Sequence, residues 1–140
     1  SRRWVNGVVH THSRYATAFA CAGRPIRAAH YLVAFAGREV PVAEYATYGT
    51  PDLAESAVRA LPPNGKAVLL KHHGVLTVGS SVEEALRIAS IVEYVAEIYY
   101  LALQIGNPPI LPDEELDRLS VKFQGYGQPM RRPASASETP

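Results

Sequence analysis

Five histidines stand in this chain, at positions 10, 12, 30, 72 and 73, and three of them are spaced to share one metal ion. His10 and His12 lie two apart at the end of Trp4 to Thr11, a valine- and aromatic-rich stretch that reads as a strand. Strand side chains alternate between faces, so both imidazoles project from the same one. A strand also carries its side chains rigidly, which a metal centre requires. Taken alone, the pair is equally compatible with two hydrogen-bonded histidines at a strand end. His73 changes that reading. It follows a second apolar run, Ala67 to Lys71, and precedes Gly74, where the backbone can turn sharply. Two strand ends bringing three neutral imidazoles to one rim would form a three-ligand site with a coordination position left open, as catalytic zinc sites have. Related divalent ions accept the same donors. His72 points away from His73 if its strand is regular, and reads as structural or as a support to the ligands. His30, in an alanine-rich segment, reads as a helix-surface or subunit-contact residue.

The elements that must position these residues follow from the pattern. Ser13 can cap a helix running through Ala22, which Gly23 and Pro25 stop. Arg27 to Ala36 predicts a short helix ended by Gly37, and Val40 to Tyr45 a short strand. Thr50, Pro51 and Asp52 form a helix start: a cap, a proline whose missing N–H costs nothing, and an acid at the positive end of the dipole. That helix reaches about Leu61, and Pro62 to Gly65 is a turn. Ala67 to Lys71 predicts a strand, with Val75 to Val78 extending it. Ser81 and Glu84 have the spacing of a capping box. The helix beyond them reaches about Gln104, with Val82, Ala85, Ala89, Val92, Ala96 and Tyr99 as its apolar stripe. Gly106, Pro108 and Pro109 end it, and Asp113 to about Lys122 is a last helix. Strands alternating with helices place the chain in the α/β class. One domain over residues 1–128 is expected, followed by a disordered Pro-, Ser- and Arg-rich tail over 129–140.

The bulk properties narrow the function classes. A chain of 140 residues, 47% of them apolar, suits one packed core. The formal net charge is +1 with no basic stripe, so nucleic acid is not an expected partner. Uninterrupted apolar runs fall far short of the roughly 20 residues of a membrane span, and no signal peptide precedes the first strand. No membrane partner is expected. The single Cys21 cannot form an internal disulfide, which points to a reducing cytoplasm. Following Ala18, Phe19 and Ala20, it reads as a small core residue. The chain opens on Ser1 with a strand only a few residues on, which reads as a piece of something longer or a processed chain.

Val8-Val9-His10-Thr11-His12-Ser13-Arg14-Tyr15-Ala16-Thr17 resembles the zinc motif of the class II aldolase/adducin family. Leu69-Leu70-Lys71-His72-His73-Gly74-Val75 resembles its second zinc motif, in which the histidine before glycine is the ligand. Ala29 to Ala34, Tyr45 to Thr50 and Lys122 to Gly127 resemble the L-fuculose-phosphate aldolase branch, and the likeness runs in order from Val8 to about Tyr126. The resemblance implies a three-layer α/β/α class II aldolase-like domain lacking its N-terminal portion. It implies Zn2+ on His10, His12 and His73, one ion per subunit of a homotetramer. The implied activity is zinc-dependent cleavage of a ketose phosphate such as L-fuculose 1-phosphate to dihydroxyacetone phosphate and an aldehyde, through a metal-stabilised enediolate. Tyr31 matches the tyrosine that moves a proton at a neighbouring subunit's site, and Tyr126 the C-terminal tyrosine thought to close over it. Both would need tuning, because a phenol ordinarily titrates near ~10. The family's phosphate-binding loops and general-base glutamate belong to its N-terminal part and match nothing here. Epimerases and dehydratases of the same family share the histidines. An adducin-like interaction module or an inactive metal-binding fragment are the non-enzymatic alternatives.

Overall fold

A computed structural model describes residues 2–125. Four strands form one sheet: β1 (Gly7–Thr11), β2 (Val42–Ala43), β3 (Ala67–Leu70) and β4 (Gly74–Gly79), in the order β1-β4-β3-β2. β4 is antiparallel to both neighbours, and β2 is parallel to β3. The helices are α1 (Arg14–Ala22), α2 (Pro51–Ala60), α3 (Val82–Ile105) and α4 (Asp113–Gln124), with a 3-10 turn at Tyr31–Phe35.

β3 shows why the sheet is covered on both faces. All four of its residues are buried. Ala67 and Leu69 pack with Phe19 of α1 and Ile88, Val92 and Ala96 of α3. Val68 and Leu70 pack with Ala57 of α2 and with Leu61. Alternation thus sends one pair to each helical layer, giving the expected three-layer α/β/α arrangement. Truncating a fully buried leucine such as Leu69 in such a core costs about 2–5 kcal/mol. α3, with 24 residues and a mean hydropathy of 1.3 over its best window, has the length and composition of a membrane span. Here its apolar face Ala85, Ile88, Val92, Ala96 and Tyr99 is buried within the domain.

Several expectations are corrected. The chain does not run on from Lys71 to Val78 as one strand. It reverses, pairing Leu70 with Gly74, and His72 takes the left-handed conformation (φ 58°) that allows the reversal. The helix expected over Arg27 to Ala36 shrinks to one 3-10 turn. Its start is committed elsewhere: Ile26 exchanges two backbone bonds with Val40, and the Ala28 carbonyl accepts from Leu111. The strand expected over Val40 to Tyr45 is cut to Val42–Ala43; Pro41, which has no N–H to give a ladder, accounts for its late start. Thr50 occupies the N-cap of α2, but its hydroxyl donates to the Thr47 carbonyl instead. Cys21 is exposed rather than in the core. Residues 129–140, read as a tail, lie outside the described residues.

The capping box of α3 is half made and half redirected. Ser81 Oγ accepts from the Glu84 N–H, as expected. The Glu84 carboxylate turns to Lys66 Nζ (2.7 Å), to the Ser80 hydroxyl and to the Ser80 N–H. It thereby ties the start of α3 to the residue preceding β3. The hydrogen bond from Lys66 and then those from Ser80 hold this carboxyl at a pKa of about 2, below its ordinary 4.5. A depressed carboxylate pKa stabilises the fold above pH 4.5, and that contribution drains away as pH falls toward 2. Glu84→Gln is expected to lower stability at neutral pH by on the order of 1–2 kcal/mol. It should also flatten the loss of stability between those two pH values, as followed by urea titration at a series of pH values. An acid limb identical in both proteins would show that this carboxylate does not carry it.

Candidate metal centre

His10 is fixed by the β ladder, where it stands opposite Leu76. Its Nδ1 lies 2.9 Å from the Val75 carbonyl oxygen of β4. A carbonyl can only accept, so Nδ1 carries the proton and Nε2 presents its lone pair outward. His12 follows β1 immediately, and its Nε2 stands 3.0 Å from Nε2 of His10. Two imidazole nitrogens facing at that distance require a proton or a cation between them. His73 is the last residue of the β3–β4 turn, and its N–H donates to the Leu70 carbonyl. That turn is anchored on α1 by the bond from the His72 N–H to the Ala20 carbonyl.

The three rings close on one another with centroids 4.7–5.0 Å apart, and their ligand atoms lie within 4.8 Å of each other. Nitrogens sharing a tetrahedral zinc at 2.0–2.1 Å stand about 3.3 Å apart, so a small inward movement of the rings completes the set. Among the described residues this group holds three imidazoles and no carboxylate. Three neutral donors suit zinc and leave a position for an oxygen ligand. His10 and His12 are exposed and His73 half-buried, so solvent reaches the group. Partial burial, and then repulsion from His10 and His12, push the His73 pKa below its ordinary 6.5. The ring is therefore neutral at pH 7, as a ligand must be.

Gly74 is needed here for room rather than for a turn, since its φ is not positive. A Cβ there would sit 2.5 Å from the Thr11 carbonyl oxygen, 2.9 Å from the His12 ring and 3.3 Å from the His10 ring. Sequence reasoning gave Gly74 the wrong role, and it missed the Val75 carbonyl because a backbone acceptor has no residue-type signal.

The remaining candidates lie apart from the triad. Tyr31 is 48% exposed, and its ring contacts are His30 (4.9 Å) and Phe123 (6.2 Å). His30 caps the 3-10 turn, its Nδ1 accepting from the Leu32 N–H. His72 meets the edge of Tyr45. Tyr126 lies outside the described residues. A shallow hollow lined by Glu44, Tyr45, Thr47, Thr50, Asp52 and Arg59 contains none of the three imidazoles.

Residues 1–100 match the family description "Class II Aldolase and Adducin N-terminal domain". The chain belongs to the class II aldolase/adducin family. It is 44% identical over 131 residues to the 5-methylthioribulose-1-phosphate/5-deoxyribulose-1-phosphate aldolase of Rhodospirillum rubrum, covering 93% of this chain and 59% of that protein. It is 44% identical over 129 residues to an L-fuculose phosphate aldolase of Escherichia coli, covering 91% of this chain and 60% of the relative. A solved L-fuculose 1-phosphate aldolase superposes with a TM-score of 0.81 at 46% identity, over 84% of this chain and 55% of that one. The chain thus spans about three fifths of the length of these curated relatives. His73→Ala is expected to lower zinc occupancy strongly, read by elemental analysis of protein dialysed against a zinc buffer. Gly74→Ala should do the same although all three histidines are retained, because the added methyl displaces their rings. Full occupancy in either variant would break the link between this geometry and metal binding.

Proposed function

We propose that this chain carries the metal-binding part of a zinc-dependent sugar-phosphate aldolase. The carrying observation is the convergence of His10, His12 and His73, with His10 already held in the ligating tautomer. A bound zinc ion would act as a Lewis acid on the oxygens of a ketose phosphate and disperse the negative charge left by carbon–carbon cleavage. The residues of this chain do the rest by position. The Val75 carbonyl orients His10, and the β3–β4 turn aims His73. The substrates named for the relatives above are ketose phosphates, 1-phosphates in two of the three names, which supports that substrate class.

No lysine Schiff base is required. Lys66 is engaged with Glu84 at 2.7 Å, and Lys71 lies 3.7 Å from Glu44. Tyr31 is read as the proton-transfer group for a neighbouring subunit's site. Its exposure, with ring contacts to His30 and Phe123, is compatible with service outside its own subunit. An assembly, read as a tetramer, is further supported by α3. Leu86, Tyr94, Leu101 and Ile105 are exposed along one side of it at helical spacing.

The test is release of dihydroxyacetone phosphate from L-fuculose 1-phosphate and from 5-deoxyribulose 1-phosphate. Cleavage should vanish with a chelator, return with Zn2+, and leave no borohydride-trapped adduct on the protein. Chelator-resistant cleavage would sink the metal mechanism. Zinc bound without cleavage would mean that the chain holds the ion and is not by itself the catalyst. Tyr31→Phe should lower kcat by roughly 10²-fold or more with unchanged zinc content, and an unaltered kcat removes its role. Sedimentation velocity should show a tetramer, and a monomer would remove any service of Tyr31 to a second subunit.

A further inference from the structure

α1 begins two residues after His12, and the way its first turn is held bears on that ligand. Ser13 sits at the N-cap position, yet its side chain makes no capping bond. The free N–H groups of the first turn are taken instead by a carboxylate from the middle of α3. The Tyr15 N–H donates to Glu93 Oε1 at 2.8 Å, and the Ala16 N–H to Glu93 Oε2 at 2.9 Å. Both oxygens of one half-buried side chain, 77–78 residues away in sequence, are spent on two consecutive backbone groups. A carboxylate at that end also meets the positive pole of the helix.

The three ligands differ in how they are held. His10 is inside the β1–β4 ladder, and His73 is inside the β3–β4 turn. His12 lies beyond the last paired residue, Thr11. Its position is therefore set by what the chain does next, which is to enter α1. α3 packs against both β1 and α1, so the Glu93 clamp fixes the start of α1 relative to the strand that carries His10. We infer that Glu93 is a positioning residue of the metal centre, which sets the metal affinity by clamping the first turn of α1 and through it the placement of His12. This rests on the metal reading given above. It assigns the centre a support that touches neither the ion nor a ligand side chain.

The test uses the full chain and Co2+, whose visible absorption reports coordination geometry. Affinity is measured by competition with a chromophoric chelator. Glu93→Ala and Glu93→Gln are compared with Val92→Ala, a change to the adjacent buried residue on α3 that loses core packing and leaves the clamp intact. Both Glu93 variants are expected to bind Co2+ about tenfold or more weakly, in the range seen when outer supports of metal ligands are removed, and to shift the visible band. Val92→Ala should lower the melting temperature and keep the parental affinity and spectrum. Glu93→Gln retains one acceptor oxygen, so it carries the test if Glu93→Ala does not fold. Parental affinity and spectrum in a folded Glu93 variant would overturn the inference. So would an equal loss in Val92→Ala, because affinity would then merely track stability. A parental chain that takes up no Co2+ would fail one step earlier, at the metal centre itself.

Discussion

The pairing of β4 with two antiparallel neighbours governs this molecule. β1 delivers His10 and His12 along one side of β4, and β3 reaches the other side through the tight turn that holds His73. Because side chains on a strand have a period of two, a one-residue slip of β1 on β4 would turn His10 to the opposite face. Burial pins the register of β3 on β4: Leu69 and Val75 face one helical layer, while Val68, Leu70 and Val78 face the other. β1 is set on β4 by its ladder, from Gly7 opposite Gly79 to Thr11 opposite Val75. Gly74 then lets the two strand ends come close enough for the three imidazoles to meet.

Much of this was legible in the sequence, for identifiable reasons. Helices α2, α3 and α4 carry strong local signals: proline after a cap, a serine–glutamate pair, acids in the first turn. The His-x-His pair states its own geometry once β1 is recognised. What stayed hidden depends on distant partners. A continuous strand and a hairpin have the same composition across Lys71 to Gly74, and only the left-handed His72 separates them. Arg27 to Ala36 has helical composition, but Ile26 just before it is paired with Val40 and its Ala28 carbonyl is claimed by Leu111. Ser13 has the right residue type for a cap, and no local rule says that Glu93 will do the work.

The motif resemblance read from the sequence and the geometry of the triad point to the same three histidines. The family match rests on residue order over 1–100. The triad rests on where atoms fall. Neither depends on the tyrosines, which stand outside the cluster or outside the described residues. In the proposed reading the metal-holding and proton-moving parts are physically separable: one belongs to the sheet rim, the other to the exposed Tyr31.

The contact between His10 and the Val75 carbonyl has a genetic consequence. A side-chain carboxylate in that role could be deleted by one codon change, freeing the imidazole to protonate on either nitrogen. A peptide oxygen is present whatever amino acid occupies position 75. The protonation pattern of His10 is therefore insulated from point substitution at its own partner. On the acceptor's side it is lost by moving the main chain of β4, which also carries the ladders to β1 and β3.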